Sequence, residues 1–84
     1  MLEPRSIAAI ARECRRDWTK PYFGAVPYLS AMLSLDRIND RYGEDSGRSV
    51  VAYFLSNATT WRGLVARQCK AELKAMLRSG SLKV

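Results

Sequence analysis

Apolar residues recur along this chain at steps of three and four, the spacing that gathers them on one side of an α-helix. Ile7, Ile10, Ala11, Cys14 and Trp18 form the first such run, with Arg12, Arg15 and Arg16 lying off it. The pattern predicts a helix over about residues 5–18. Pro4 suits its first turn, where a missing N–H is not needed. Lys20-Pro21 ends it, because the residue before a proline avoids helical dihedrals.

Tyr22 to Pro27 reads as a short apolar connector between two prolines. From Pro27 a second helix is expected to about residue 41. Its apolar members, Tyr28, Leu29, Ala31, Met32, Leu33, Leu35, Ile38 and Tyr42, leave only a strip of Ser30, Ser34, Arg37 and Arg41. A helix apolar over so much of its surface is the central one, with Leu35 at its middle. Gly43 would close it as a left-handed cap. Glu44, Asp45 and Ser46 then offer capping groups to a third helix over about 46–57, which buries Val50, Val51, Phe54, Leu55 and Ala58. After a break, Thr59 or Thr60 would cap a fourth helix over about 60–78, with Trp61, Val65, Cys69, Leu73, Met76 and Leu77 on its inner side. Residues 79–84 are expected to form a frayed tail. No alternating apolar run competes with helix anywhere. The expectation is one small all-α domain over residues 1–84, a compact bundle of four short helices, or three if the last two merge.

Composition narrows the chemistry more than the fold. At 84 residues the chain has one thin core, and 48% hydrophobic with 26% charged residues is the balance of a folded protein rather than a disordered one. No apolar run approaches the ~18 residues of a membrane span, and the N-terminus lacks a signal-peptide core. A cytoplasmic protein with no membrane role is expected. There is no histidine, which removes the commonest general base, the usual partner of a nucleophilic serine or cysteine, and the commonest zinc ligand. Neither catalytic residues, a cofactor nor a metal site is expected, and the protein reads as a non-enzyme. The acidic group Asp36, Asn39, Asp40, Glu44 and Asp45 lacks the alternate-position ligands and internal glycine of a calcium loop. Asp36 and Asn39 are instead expected within the apolar face of the second helix, meeting an arginine or a backbone group. Cys14 and Cys69 both fall on apolar faces and read as buried free thiols. Nothing in their spacing shows whether they meet.

Charge is distributed unevenly. Residues 1–20 carry a net +2, residues 21–60 a net −1, and residues 61–84 a net +5 of the total +6. Arg67, Lys70, Lys74 and Arg78 step by three, four and four, and so stack on one side of the fourth helix over about 16 Å. Such a stripe can track nucleic-acid phosphates. It serves equally as a solvated face that keeps a small protein in solution. A helix-turn-helix alignment across residues 48–67 fails, because Asn57 and Arg62 occupy positions that should be apolar. Trp18, Trp61, Phe54 and Tyr28 lie on or beside apolar faces and read first as core. Tyr53 points away from Val50, Val51 and Phe54. With Trp61 and Arg62 across the short break it makes a candidate partner-binding corner, since aromatic rings and arginine dominate interface hot spots.

Three stretches carry a family resemblance: Lys20 to Leu29, Tyr53 to Gly63, and Ala71-Glu72-Leu73. There the chain resembles a group of small uncharacterised proteins of mycobacteriophages and related actinobacterial phages, over most of its length from about Ile7 to Leu77. The resemblance implies a phage accessory protein acting in the host-cell cytoplasm. It implies no reaction, ligand or functional residue. The expected function is therefore non-enzymatic binding of a protein partner, a host factor being one candidate. Two alternatives stand beside it: nucleic-acid binding through the basic face of the last helix, and self-association into a homo-oligomer.

Overall fold

The computed structural model describes residues 5–43 and 45–81, with side chains through residue 78. The first helix, α1 (Ile7–Asp17), is capped by Ser6, whose hydroxyl accepts the Ala9 amide at 3.0 Å. Pro4, the expected start signal, lies outside the described residues. The first two N–H groups of α1 find partners far along the chain. Ile7 donates to the Asp36 carbonyl at 2.9 Å and Ala8 to the Leu35 carbonyl at 2.8 Å.

A 3-10 turn (Phe23–Ala25) leads into α2 (Val26–Met32). The helix expected over about 27–41 thus stops early. Asp40 explains the stop: its carboxylate accepts the N–H groups of Asp36 at 2.9 Å and Arg37 at 3.0 Å, folding residues 36–40 into a turn. Short acidic side chains compete with the helix ladder in this way. The carbonyls of Leu35 and Asp36 are then available to α1. Leu35 is fully buried as expected, but from a loop rather than from the middle of a helix. Asp36 and Asn39 are exposed on that loop, not embedded in an apolar face.

Two short strands follow, β1 (Arg41–Tyr42) and β2 (Asp45–Ser46), antiparallel with Arg41 opposite Ser46 and Tyr42 opposite Asp45. Gly43 is left-handed, as anticipated, at φ +62°. It turns this hairpin instead of capping a helix. The fold is therefore mostly helical with a two-stranded ribbon, and the strictly all-α expectation is corrected. Glu44 lies outside the described residues, so only Ser46 of the expected capping group is seen at work.

Ser46 starts α3 (Gly47–Ser56), its hydroxyl accepting the Ser49 amide at 3.1 Å. Gly47 is needed for closeness. A Cβ there would sit 2.8 Å from the Ile38 carbonyl oxygen and 2.9 Å from that of Arg37, and the Gly47 amide itself donates to the Asp40 carbonyl at 2.6 Å. The last helix, α4 (Leu64–Ser81), begins later than expected. Gly63 sets its start, with φ +113° and a carbonyl that accepts the Arg67 amide at 3.0 Å. Such a φ interrupts right-handed helix, so Trp61 falls in the preceding loop. At its other end α4 runs through Ser81, so residues 79–81, expected in the tail, are helical. Residues 82–84 of that tail lie outside the described residues.

α1 and α4 pack antiparallel, since rising positions on and before α1 meet falling positions on and before α4: Arg5 with Glu72, Glu13 with Cys69, Asp17 with Trp61. α2 packs on α1 and α3, and α3 on α4. Ile7, Ile10, Met32, Leu35, Val51, Phe54 and Leu73 fill the centre. At one end, Trp61 stacks on Trp18 with ring centroids 5.6 Å apart and planes 10° from parallel, and the edge of Phe54 closes on both rings. The Trp61 indole N–H donates to the Asp17 carboxylate at 2.8 Å, which satisfies the polar atom such a ring must otherwise bury unpaired.

Candidate functional site

α4 carries the basic stripe that its spacing predicts. Arg67, Lys70, Lys74 and Arg78, with Ala71 between them, line a shallow depression of about 300 Å³. A second depression of about 360 Å³ shares Arg67 and Lys70 and adds Arg62, Gly63, Thr59 and Trp61. Among the described residues no carboxylate lines either one. Glu72, the acidic residue within α4, is drawn to the helix's other side by Arg5. Because Gly63 precedes the first turn of α4, the positive end of that helix's dipole also opens at the second depression.

The four stripe residues are not equivalent. Arg67, Lys74 and Arg78 are exposed, whereas Lys70 is half-buried. The Lys70 ammonium donates to the Trp61 carbonyl at 2.7 Å and lies 5.9 Å from the Trp61 ring centroid. Burial, with the Lys74 and Arg62 charges nearby, pushes its pKa below the ordinary lysine value. Lys70 therefore fastens the loop before α4 to the helix, and its exposed neighbours are better placed to meet an anion.

The proposed corner of Tyr53, Trp61 and Arg62 does not form. Trp61 is only 2% exposed, held between Trp18, Phe54 and Lys70, so its ring is core and not contact surface. Trp61 thus follows the core reading that its apolar side gave, although Gly63, and not Thr59 or Thr60, starts the helix and leaves it in the preceding loop. Tyr53 is 54% exposed, as expected, and leans on Tyr28 of α2 with ring centroids 5.4 Å apart. Arg62 joins the basic stripe instead, lengthening it at the start of α4.

Other features escape sequence reasoning. Arg12, Arg15 and Arg16 make a second basic face on α1, lining a depression of about 320 Å³. Phe23 and Tyr22, read as a mere connector, stand out from the 3-10 turn, Phe23 at 79% exposure. Arg5 clasps α1 to α4. It makes paired bonds to the Glu72 carboxylate at 2.7 and 3.0 Å and a 2.6 Å bond to Glu13. The hydrogen bond from Arg5 holds Glu13 below the usual carboxylate range. Beneath the clasp lie Cys14 and Cys69, both buried free thiols as expected. Cys69 Sγ is 3.7 Å from Glu13 Oε1. Burial, and next the charge of its neighbour Cys69, pushes the Cys14 pKa far above its ordinary value, which disfavours the nucleophilic thiolate. Among the described residues no helix is long and apolar enough to cross a membrane. Neither models of known protein families, nor curated proteins, nor solved structures give a match to this chain.

Proposed function

We propose that the protein is a non-enzymatic module that binds the phosphate backbone of nucleic acid through α4. One observation carries the reading: Arg62, Arg67, Lys70, Lys74 and Arg78 share two adjoining depressions that no carboxylate lines among the described residues. A single-sign field of this kind attracts polyanions from a distance and holds them by displacing their counterions. The stripe spans about 16 Å of helix axis, enough for about three phosphates. Backbone contacts of this sort position a protein without reading sequence, so architectural or accessory binding fits better than operator recognition. In the phage setting that the resemblance suggests, the site of action is the host cytoplasm. A protein partner is the second reading, favoured by the exposed rings of Tyr22, Phe23 and Tyr53 rather than by the corner at Trp61.

The test is electrostatic. Anisotropy of a labelled 20-base-pair duplex is followed at 50 and 200 mM salt. With about three phosphates engaged, affinity should fall about 40-fold between the two. Arg67→Glu with Lys74→Glu should remove binding while leaving the helical spectrum intact. Lys70→Glu is a poor probe, since it also unfastens Trp61. Absence of binding at 50 mM salt, or binding indifferent to salt, sinks the reading.

A further inference from the structure

Between the end of α1 and the start of α2 lies a groove of about 320 Å³, bordered by Arg15, Trp18, Pro21, Val26 and Leu29 with the Thr19 and Ser30 hydroxyls. Its chemistry is two-sided. Trp18, Pro21, Val26 and Leu29 make an apolar floor, and Arg15 stands at one rim. Along α1 that rim continues into Arg12 and Arg16, all three exposed. Of the two carboxylates of α1, Glu13 is bonded to Arg5 while also feeling the Arg16 charge, and Asp17 accepts the Trp61 indole N–H, so the three arginines outnumber the carboxylates beside them. Val26 on the groove is 42% exposed, and next along the chain from Pro21 the paired rings of Tyr22 and Phe23, 4.9 Å apart, are 46% and 79% exposed. Large side chains left in water beside a cleft mark a surface that another molecule covers.

We propose that this groove docks an acidic protein segment bearing one large apolar anchor residue, a proposal that rests on the protein-partner reading. The anchor enters between Trp18, Val26 and Leu29, and flanking carboxylates meet Arg15, Arg12 and Arg16. The groove is at the small end of the range for ligand pockets, the size for a side chain rather than a cofactor. Nucleic acid fits it poorly. Stacking a base needs an open ring face, and Trp18 is 8% exposed with its face against Trp61. A second copy of the chain, with a net charge of +6, is a poor source of the carboxylates that this rim would take. Charge complementarity of this type guides encounter and register, while the buried anchor supplies most of the affinity.

Trp18 in the groove floor makes its emission a reporter of occupancy. The probe is a blocked hexapeptide with one leucine among aspartates and glutamates, titrated into the whole protein to 1 mM. A saturable emission change is expected, weakened at least about tenfold by Arg15→Glu and lost with Val26→Glu. Phe23→Ser, at a site too exposed to affect folding, should also weaken it and covers the case in which Val26→Glu misfolds. Arg67→Glu with Lys74→Glu, which abolishes the proposed duplex binding, should leave peptide affinity within about twofold, as expected for separate sites. The proposal is overturned by any of four results: no change by 1 mM; equal binding of a peptide with serine in place of leucine; equal weakening by Arg67→Glu with Lys74→Glu; or an oligothymidylate that gives the same Arg15- and Val26-dependent signal.

Discussion

Replacing Trp61 by alanine tests whether the cluster of Trp18, Trp61 and Phe54 ties the end of α1 to α3 and to the loop before α4. Truncating a buried tryptophan typically costs about 3–5 kcal/mol. The upper half of that range is expected here. The ring is 2% exposed, stacks on Trp18, meets the Phe54 edge and carries both the Asp17 bond and the Lys70 ammonium. Asp17 is itself exposed, so its released carboxylate returns to water and adds no buried-charge penalty. An 84-residue domain has about 4–13 kcal/mol of stability in all. The substitution should therefore remove about a third or more of it, with Tm lowered by about 16–40 °C. Trp61→Phe separates packing from hydrogen bonding. It keeps a ring in the cluster and loses the N–H, for about 1–2 kcal/mol. Urea unfolding followed by far- and near-ultraviolet circular dichroism measures both variants. A loss below about 1 kcal/mol for the alanine variant, or equal losses for the two, would show that the stacked indole does not hold these elements together.

Three further outcomes are expected. Gly47→Ala should destabilise by about 1–3 kcal/mol, read by urea unfolding, because the obstructing atoms are the backbone carbonyls of Ile38 and Arg37 and cannot rotate away. Neither Cys14 nor Cys69 should react with iodoacetamide in the native protein, and both should label in denaturant. Labelling as fast as a free thiol in the native state would contradict their burial. Acid should destabilise through two groups: Glu13, lowered by its hydrogen bond to Arg5, and Asp40, lowered by the N–H groups of Arg37 and Asp36. A carboxyl whose pKa is depressed on folding contributes fully above the unfolded value of about 4, and that contribution is lost as pH falls through the folded value. The urea midpoint should accordingly hold between about pH 5 and 8 and drop below about pH 4, with Glu13→Gln flattening part of the drop.

α1 and α3 were legible in the sequence because their instructions are local: an apolar run at helical spacing in both, and for α3 Ser46 among the expected caps. The basic stripe of α4 was legible for the same reason. What periodicity misplaced was decided at a distance or by a single dihedral. Residues 33–42 are in phase with a helix, but Asp40 folds back on Asp36 and Arg37, and α1 draws on the carbonyls that a helix would have used. Trp61 is in phase with Val65 and Cys69 and packs inward as they do, yet Gly63 breaks the register and leaves it in the loop before α4. Arg5 gave no signal at all, since its partner Glu72 lies 67 positions away. The arginines of α1 were seen only as the polar side of a helix. That Glu13 bonds to Arg5 and Asp17 to the Trp61 indole is decided by distant residues, which pattern alone does not reveal.

The loop after α2 has a consequence for cooperativity. Ile7 and Ala8 at the start of α1, and Gly47 at the start of α3, all donate to carbonyls between Leu35 and Asp40. A six-residue span thus serves as the shared footing of two helices that are 40 positions apart in the chain. Opening that span releases both helix starts together, so these three amide protons should leave the native state through one common opening and exchange at linked rates. The same footing makes the loop unusually intolerant of length. Surface loops ordinarily absorb an inserted residue at small cost, but here one insertion would draw the carbonyls away from one helix while they still held the other.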